Sequence, residues 1–239
     1  MFKKTLGCFA LVSACLLAAP AAAHAQQTLN FSLGYFTVRG EDARAIGDQI
    51  AFDRTFLSFN TSDFNGATVG GEWLVPLGDY FEGGAGVSFS RRTVPTVYTN
   101  YTDTTGAEIE QELRLRIVPV DFTFRVLPLG QTEPFQPYFG AGVGIFDWRY
   151  SETGDFIDFA NNRNVYRASY VGSGTNAGPV VLGGIRFAGD TASAGFEVRY
   201  QKATGTLSST DFGDPVLNPN PKIDLGGWTY QFTVGLRFH

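Results

Sequence analysis

The sequence predicts an all-β fold, an eight-stranded antiparallel up-and-down β-barrel that spans a membrane. The final segment, residues 228–239, alternates strictly between apolar and polar side chains, which is the period of a β-strand. About eight segments of this kind follow one another along the chain. Their connections alternate between short and long, so one end of the barrel is expected to carry tight turns and the other large loops.

The closing strand has a complete apolar face that favours contact with lipid. Aromatic residues stand at both ends of this face, as expected where a membrane-facing strand crosses the two interfacial zones. The predicted lipid face consists of Trp228, Tyr230, Phe232, Val234, Leu236 and Phe238.

The spacing of the predicted strands gives the barrel two different ends. The strands are expected at residues 28–38, 64–76, 80–94, 109–127, 135–151, 176–188, 192–204 and 226–238. The connections between them are expected to be short at 77–79, 128–134 and 189–191, and long at 39–63, 95–108, 152–175 and 205–225. This layout places both termini with the short turns, as in barrels of the bacterial outer membrane. A soluble barrel of the lipocalin type is the alternative, but its lumen is apolar and its exterior polar.

Charged residues occur at the alternate strand positions that are expected to face the lumen, and this favours the membrane barrel over the soluble one. In the seventh strand, for example, Glu197 and Arg199 alternate with Val198. In the fourth strand the apolar parity switches, so we expect a β-bulge at Pro119. Because side chains fill the interior of an eight-stranded barrel, the inward charges are expected to occupy the lumen as a paired network. The predicted network consists of Glu72, Glu82, Arg114, Arg116, Asp121, Arg125, Arg186, Glu197, Arg199 and Arg237.

The N-terminal segment predicts export, with residues 1–25 as a secretory signal peptide and residues 26–239 as the barrel domain. Two lysines precede an apolar run at residues 6–19, and small residues favour cleavage after Ala25. A lipoprotein site at Cys15 is the alternative, although the apolar run continues beyond it.

Composition excludes several classes of function. Both cysteines, Cys8 and Cys15, lie in the predicted signal peptide, so thiol chemistry is not expected of the mature chain. Removal of that segment would leave 16 of the 18 basic residues against 23 acidic ones, a net charge of −7, which disfavours a nucleic-acid partner. No cofactor or metal is expected, since the aspartates at 211, 214 and 224 lack the spacing of a calcium loop. A membrane-spanning helix is not expected either, because no mature segment is apolar for about 18 residues.

A glycine-rich segment carries a family resemblance. The sequence PYFGAGVG, which begins at Pro137, resembles a glycine-rich strand of the OmpA-like β-barrel family. The pattern of strands and connections over the whole mature chain resembles small outer-membrane barrels of the OmpA-like, OmpX-like and OmpW-like kind. The resemblance implies outer-membrane lipid as a partner, insertion by the barrel-assembly machinery through the C-terminal strand, periplasmic termini and extracellular long loops. No peptidoglycan-binding domain is expected after the eighth strand. The glycines lack the following Lys-Ser/Thr of a phosphate loop, so they predict no nucleotide site.

An enzyme is not expected. Outer-membrane barrels that act on lipids carry a histidine with a serine or an acid near the extracellular rim. Here His24 lies in the predicted signal peptide and His239 at the opposite, periplasmic end, so Ser-His-Asp chemistry has no base. Carboxylates in the third long loop could supply acid–base chemistry, but beside two arginines they are expected to be a solvated surface. They are Glu152, Asp155 and Asp158.

The long loops favour a structural or surface-interaction role. The second loop includes the run VYTNYTD from Val97, whose tyrosines suit recognition of an extracellular ligand. A narrow small-solute channel of the OmpW-like kind is the alternative function, and a lipid-modifying enzyme is the third.

Overall fold

A computed structural model of the chain describes residues 26–159, 161 and 163–238. The predicted signal peptide, its cleavage point after Ala25, the alternative site at Cys15 and the terminal His239 lie outside the described residues.

Eight antiparallel strands close into a barrel, which confirms the predicted fold class. In the barrel the neighbour order is β1-β10-β7-β6-β5-β4-β3-β2, while β8 and β9 form a small separate sheet. The strands are β1 (Gln27–Val38), β2 (Gly66–Pro76), β3 (Phe81–Thr102), β4 (Glu108–Val126), β5 (Phe135–Asp158), β6 (Asn164–Ala188), β7 (Ala192–Gln201), β8 (Thr204–Thr206), β9 (Lys222–Asp224) and β10 (Gly227–Phe238). The short helices are α1 (Gln49–Asp53) and α2 (Ser209–Phe212), with 3₁₀ turns at Glu41–Ala43 and Thr61–Phe64. None of the described helices has the length and apolar character needed to cross a membrane.

The two ends of the barrel differ as the spacing predicts. The connections β2–β3, β4–β5 and β6–β7 are tight and lie at one end, which we call the turn end. The first and last strands pair along their whole length, with Gln27 opposite Phe238 and Val38 opposite Gly227. Gln27 and Phe238 therefore also lie at the turn end, and the longer connections lie at the opposite loop end.

Two predicted loops are largely strand instead. The strands β3, β5 and β6 contain 22, 24 and 25 residues, and they continue well past the predicted ends at residues 94, 151 and 176. The pairing of β5 with β6 runs unbroken to Asp158 opposite Asn164. We call these projecting parts of β3–β4 and β5–β6 the hairpin extensions. The many polar residues of these segments predict loops. A hairpin that projects beyond the barrel needs no apolar face, however, because both of its faces can contact water or polar side chains.

The outer face of the barrel carries a continuous apolar belt. On β10 the predicted lipid-facing residues, from Trp228 to Phe238, are each between 44% and 70% exposed. Ten residue steps of about 3.3 Å, tilted by about 40°, give a belt about 25 Å high, which matches the apolar band of an outer-membrane barrel. Exposed belt residues on β1 to β6 include Phe31, Leu33, Val69, Trp73, Val87, Phe89, Phe122, Phe124, Phe139, Val143, Val181 and Phe187.

The predicted β-bulge at Pro119 is not found in the described β4, so this prediction is wrong. The register of β4 against β5 is constant from Gln111 opposite Gly154 to Val126 opposite Phe139, so the parity does not switch. Odd-numbered residues of β4 face inward throughout. The residue type on the inner face changes instead, from polar near the turn end to apolar near the loop end.

Candidate functional site: the lumen and the loop-end crevice

The half of the lumen nearer the turn end is filled by a network of buried charges. Arg125 lies at its centre, with an ion pair to Glu72, Nη2 2.9 Å from Oε2 of Glu197, and Nη1 3.8 Å from Oε1 of Glu82. Glu82 also pairs with Arg186, whose Nη2 lies 2.9 Å from Oε2. Their side chains are each at least nine-tenths buried, so the pairs interact in a medium of low dielectric.

Arg199 joins this network to a third side of the barrel. Its Nη1 lies 2.6 Å from Oδ2 of Asp121, and its Nη2 lies 2.9 Å from Oε1 of Glu197 and 3.5 Å from Oε1 of Glu72. Arg199 and Glu197 lie on β7, whereas Asp121 lies on β4 and Glu72 on β2. These strands are not neighbours of β7, so the pairs with Asp121 and Glu72 cross the lumen. In the described lumen, three guanidinium groups thus meet four carboxylates.

Neutral donors and small residues complete the network. Tyr138 donates its hydroxyl to Oε2 of Glu197 at 3.1 Å, and Gln231 donates to Oε1 at 2.9 Å. The glycine-rich β5 leaves room for the charges, since a Cβ on Gly144 would lie 2.6 Å from Oδ1 of Asp121. The glycine-rich motif that begins at Pro137 therefore has a packing role in this barrel.

Three of the ten predicted network residues lie elsewhere. Arg114 and Arg116 point out of the barrel, where they pair with Glu112 and Asp147 on half-exposed surfaces. They point outward because the alternate residues of β4 pack inward against an apolar core. Arg237 lies at the turn end and donates to the carbonyl of Gly189 at 2.6 Å.

That apolar core forms a second layer, which closes the lumen toward the loop end. The barrel strands contribute inward residues such as Leu113, Trp148 and Val180, each no more than 1% exposed. The loop-end segments 39–65 and 202–226, which we call the cap, contribute the rest. We call this layer the apolar plug, and its buried members are Phe36, Val38, Ile50, Leu57, Phe64, Val94, Leu113, Leu115, Ile117, Phe146, Trp148, Tyr150, Val180, Ala203, Leu207, Phe212, Ile223 and Leu225.

Asp224 ties the two segments of the cap together. Its Oδ2 lies 2.9 Å from Nη1 of Arg39 and accepts the backbone N–H of Ala45 at 2.8 Å. Its own N–H donates to Oδ1 of Asp48 at 2.7 Å, and its carbonyl accepts from Nη2 of Arg44 at 3.2 Å. Asp224 is fully buried, and its polar atoms are hydrogen-bonded. The cap is therefore stabilised by an ion pair and hydrogen bonds as well as by apolar packing.

A crevice of about 320 Å³ opens between the cap and the hairpin extensions. Aromatic rings form much of its walls. Phe52 and Phe56 meet edge to face with centroids 5.2 Å apart, and Phe156 meets Tyr170 in the same way at 5.0 Å. Phe212 of α2 continues this wall, 6.3 Å from Tyr170.

Two buried carboxyl groups line the crevice. Asp53 of α1 is 6% exposed and Glu152 of β5 is 7% exposed, and the two groups lie within hydrogen-bonding reach of each other. Asp53 accepts from the Tyr150 hydroxyl at 2.8 Å and from Nε2 of Gln49 at 2.7 Å. Burial raises the pKa of Asp53 well above its usual value and raises the pKa of Glu152 to about 7. Each carboxyl group is therefore protonated more readily than an exposed one, and the two groups titrate together.

The structure separates the three carboxylates predicted to form a solvated cluster. Asp155 is partly exposed and lies 3.6 Å from Nη1 of Arg167, as expected of a surface residue. Asp158 accepts the backbone N–H of Asn161 at 3.1 Å in the turn of the hairpin. Glu152 instead faces inward and meets Asp53. Sequence reasoning missed this pair because Asp53 lies 99 positions away, in a cap whose path the strand pattern does not predict.

Comparison with known proteins yields structural likenesses alone. No family model and no curated protein matches the chain. Among solved structures, it is similar to Ail, the attachment invasion locus protein of Yersinia pestis, in complex with the heparin analogue sucrose octasulfate. That match has 9% identity and a TM-score of 0.43, and covers 90% of this chain and 99% of Ail.

Two further solved barrels show a similar likeness. Neisserial surface protein A matches with 10% identity and a TM-score of 0.40, over 89% of this chain and 95% of that protein. The N-terminal β-barrel domain of Pseudomonas aeruginosa OprF matches with 13% identity and a TM-score of 0.34, over 90% of this chain and all of that domain.

Among the residues that the structure describes, no group of three or more histidine, cysteine or acidic side chains is arranged to hold a metal ion.

Proposed function

We propose that the protein is an outer-membrane β-barrel with a closed lumen and a structured loop end that serves a structural or surface-interaction role. The apolar belt supports the membrane environment, since it is continuous around β1 to β6 and β10 and about 25 Å high. A soluble protein rarely exposes an apolar patch larger than a few hundred Å².

The closure of the lumen in two layers carries this proposal. The charge network joins strands on opposite sides of the barrel, and the apolar plug lies above it. Beside Glu72 and Arg199 the lumen contains a cavity of about 20 Å³, roughly the space of one water molecule. A small-solute channel would require both layers to rearrange, so we place the function at the loop end.

The proposed orientation puts the turn end in the periplasm and the loop end outside the cell. The tight connections and the strand ends at Gln27 and Phe238 suit the periplasmic side, where turns of outer-membrane barrels are short. Lipid and the barrel-assembly machinery, acting through β10, are the proposed partners at the membrane. The predicted signal peptide at residues 1–25 would direct export, with cleavage after Ala25.

Labelling of single cysteines in intact cells tests this proposal. Val216→Cys lies in the cap and is 85% exposed, whereas Leu129→Cys lies in the β4–β5 connection at the turn end and is 51% exposed. A membrane-impermeant maleimide should label the first variant in intact cells and the second only after the cells are opened. Labelling of Leu129→Cys in intact cells, or recovery of the protein in the soluble fraction, would contradict the proposal.

A further inference from the structure

We propose that the loop-end crevice binds small organic cations in which a protonated amine is carried on an apolar body. This inference names a ligand class for the surface-interaction role and rests on that proposed role. Three features of the crevice support it: its acidic lining, a buried oxygen that accepts no hydrogen bond from the described residues, and its aromatic walls.

The charge of the crevice favours a cation. Asp214 stays ionised, because the backbone N–H groups of Leu217 and Val216 donate to its carboxylate and lower its pKa. Among the described residues that line the crevice, none is lysine or arginine. The lining acids are Asp53, Glu152, Asp211 and Asp214.

The buried oxygen shows where the amine would bind. Oε1 of Glu152 is buried and accepts no hydrogen bond from the described protein, while Asp53 already accepts from Tyr150 and Gln49. A buried acceptor without a donor costs free energy, so this oxygen is stabilised either by a proton shared with Asp53 or by a donor from a ligand. An ammonium group has three N–H donors and a positive charge, and it can replace the shared proton.

The aromatic walls suit the rest of such a ligand. The rings of Phe52, Phe56 and Phe156 provide apolar surface in the same crevice as the carboxyl pair. Aromatic faces also attract a cation within about 6 Å of the ring centre. The cavity volume of about 320 Å³ lies near the lower limit of ligand pockets, which span about 300–1,000 Å³, so we expect a small ligand.

Binding should strengthen as the pH rises from 6 to 8. An alkyl ammonium resembles a lysine side chain and stays protonated in this range, whereas Glu152, whose pKa is raised to about 7 by burial, loses its proton. The raised pKa values of Tyr98, Tyr150 and Tyr166 keep those hydroxyls neutral. The titratable groups that face the pair or line the crevice are Asp48, Asp53, Tyr98, Tyr150, Glu152, Tyr166, Tyr170, Asp211 and Asp214.

Isothermal titration of the refolded full barrel in nanodiscs tests the inference. The probe is phenethylamine, and the matched neutral probe is 2-phenylethanol, which has the same aromatic body and a hydroxyl in place of the amine. At pH 8 we expect the alcohol to bind at least fivefold more weakly, and we expect the affinity for the amine to rise at least fivefold from pH 6 to pH 8. A smaller effect in either comparison would overturn the inference, and neither comparison requires a variant.

A pair of variants then locates the site. Glu152→Gln should weaken binding of phenethylamine at least fivefold at pH 8, whereas Asp155→Asn, a change in a neighbouring surface carboxylate, should leave it unchanged. Equal binding by Glu152→Gln and the unmodified protein would place the amine elsewhere and overturn the inference. These measurements depend on neither conductance nor orientation, so failure here is distinguishable from failure of the proposed function.

Discussion

Arg199 on β7 donates to Asp121 on β4 across the lumen, with Nη1 2.6 Å from Oδ2, although β6 and β5 separate these strands in the sheet. The same guanidinium also bonds to Glu197 of its own strand. A barrel interior that is spanned in this way is a packed polar core. Its charges hold opposite walls together, and the apolar plug covers them.

Loss of a lumen arginine should destabilise the barrel far more than loss of a surface arginine. We expect Arg199→Ala to lower the free energy of unfolding by about 3–5 kcal/mol, because it leaves the buried Asp121 without the arginine that pairs with it. Urea unfolding in lipid vesicles measures the change. Arg116→Ala is the control, since its pair with Asp147 is half-exposed and worth about 0–1 kcal/mol. Equal losses in the two variants would mean that the network contributes nothing beyond a surface pair.

The orientation of the side chains on β10 predicts that substitutions at neighbouring positions differ strongly in their effect on stability. Val234 is 58% exposed in the middle of the apolar belt, whereas Thr233 is 6% exposed in the lumen. Val234→Arg should cost about 2–4 kcal/mol if it lies near the bilayer midplane, while Thr233→Ser should cost much less. Refolding yields into lipid vesicles compare the two. Similar tolerance at both positions would show that the belt does not face lipid.

The carboxyl pair predicts that stability falls as the pH rises. The pKa of Glu152 is raised from 4.5 to about 7, so the folded protein keeps a proton that the unfolded chain releases in this range. The free energy of unfolding should therefore decrease between about pH 4.5 and pH 7. At about 1.4 kcal/mol per pKa unit, the shift at Glu152 amounts to about 3 kcal/mol.

Glu152→Gln isolates this contribution, since the amide does not titrate. Its unfolding free energy should fall less steeply with pH than that of the unmodified protein, whereas Asp155→Asn should retain the full slope. Denaturant unfolding at several pH values provides the comparison. The same slope in Glu152→Gln would show that Glu152 is ionised in the folded state at acidic pH.

The cap should open when Asp224 is lost. Asp224→Ala removes the acceptor of Arg39 and Ala45, and we expect trypsin to cleave after the buried Arg44 at least several times faster. Peptide mapping by mass spectrometry identifies the site. In the control, Asp103→Ala, the lost carboxylate caps an exposed hairpin turn, and cleavage after Arg44 should not change. Unchanged cleavage in both variants would show that the cap does not depend on Asp224.

The strand pattern predicted the outward face of the barrel better than its interior. On β10 the alternation identified the exposed row, because one face is wholly apolar and the other polar. On β4 the same rule misplaced Arg114 and Arg116. Leu113, Leu115 and Ile117 show the periodicity of a lipid-facing row, but they pack against the cap. An apolar row does not reveal whether it meets lipid or protein, and that depends on segments distant in sequence.

Single-channel recording in planar lipid bilayers tests the closed lumen most directly. The refolded, unmodified protein should insert and show no steady conductance, because the network from Glu72 to Arg199 and the plug around Trp148 occupy the lumen in series. A conducting porin, inserted under the same conditions, confirms that a pore would be detected. Steady ion conductance by the unmodified protein would contradict the closed lumen and favour the small-solute channel.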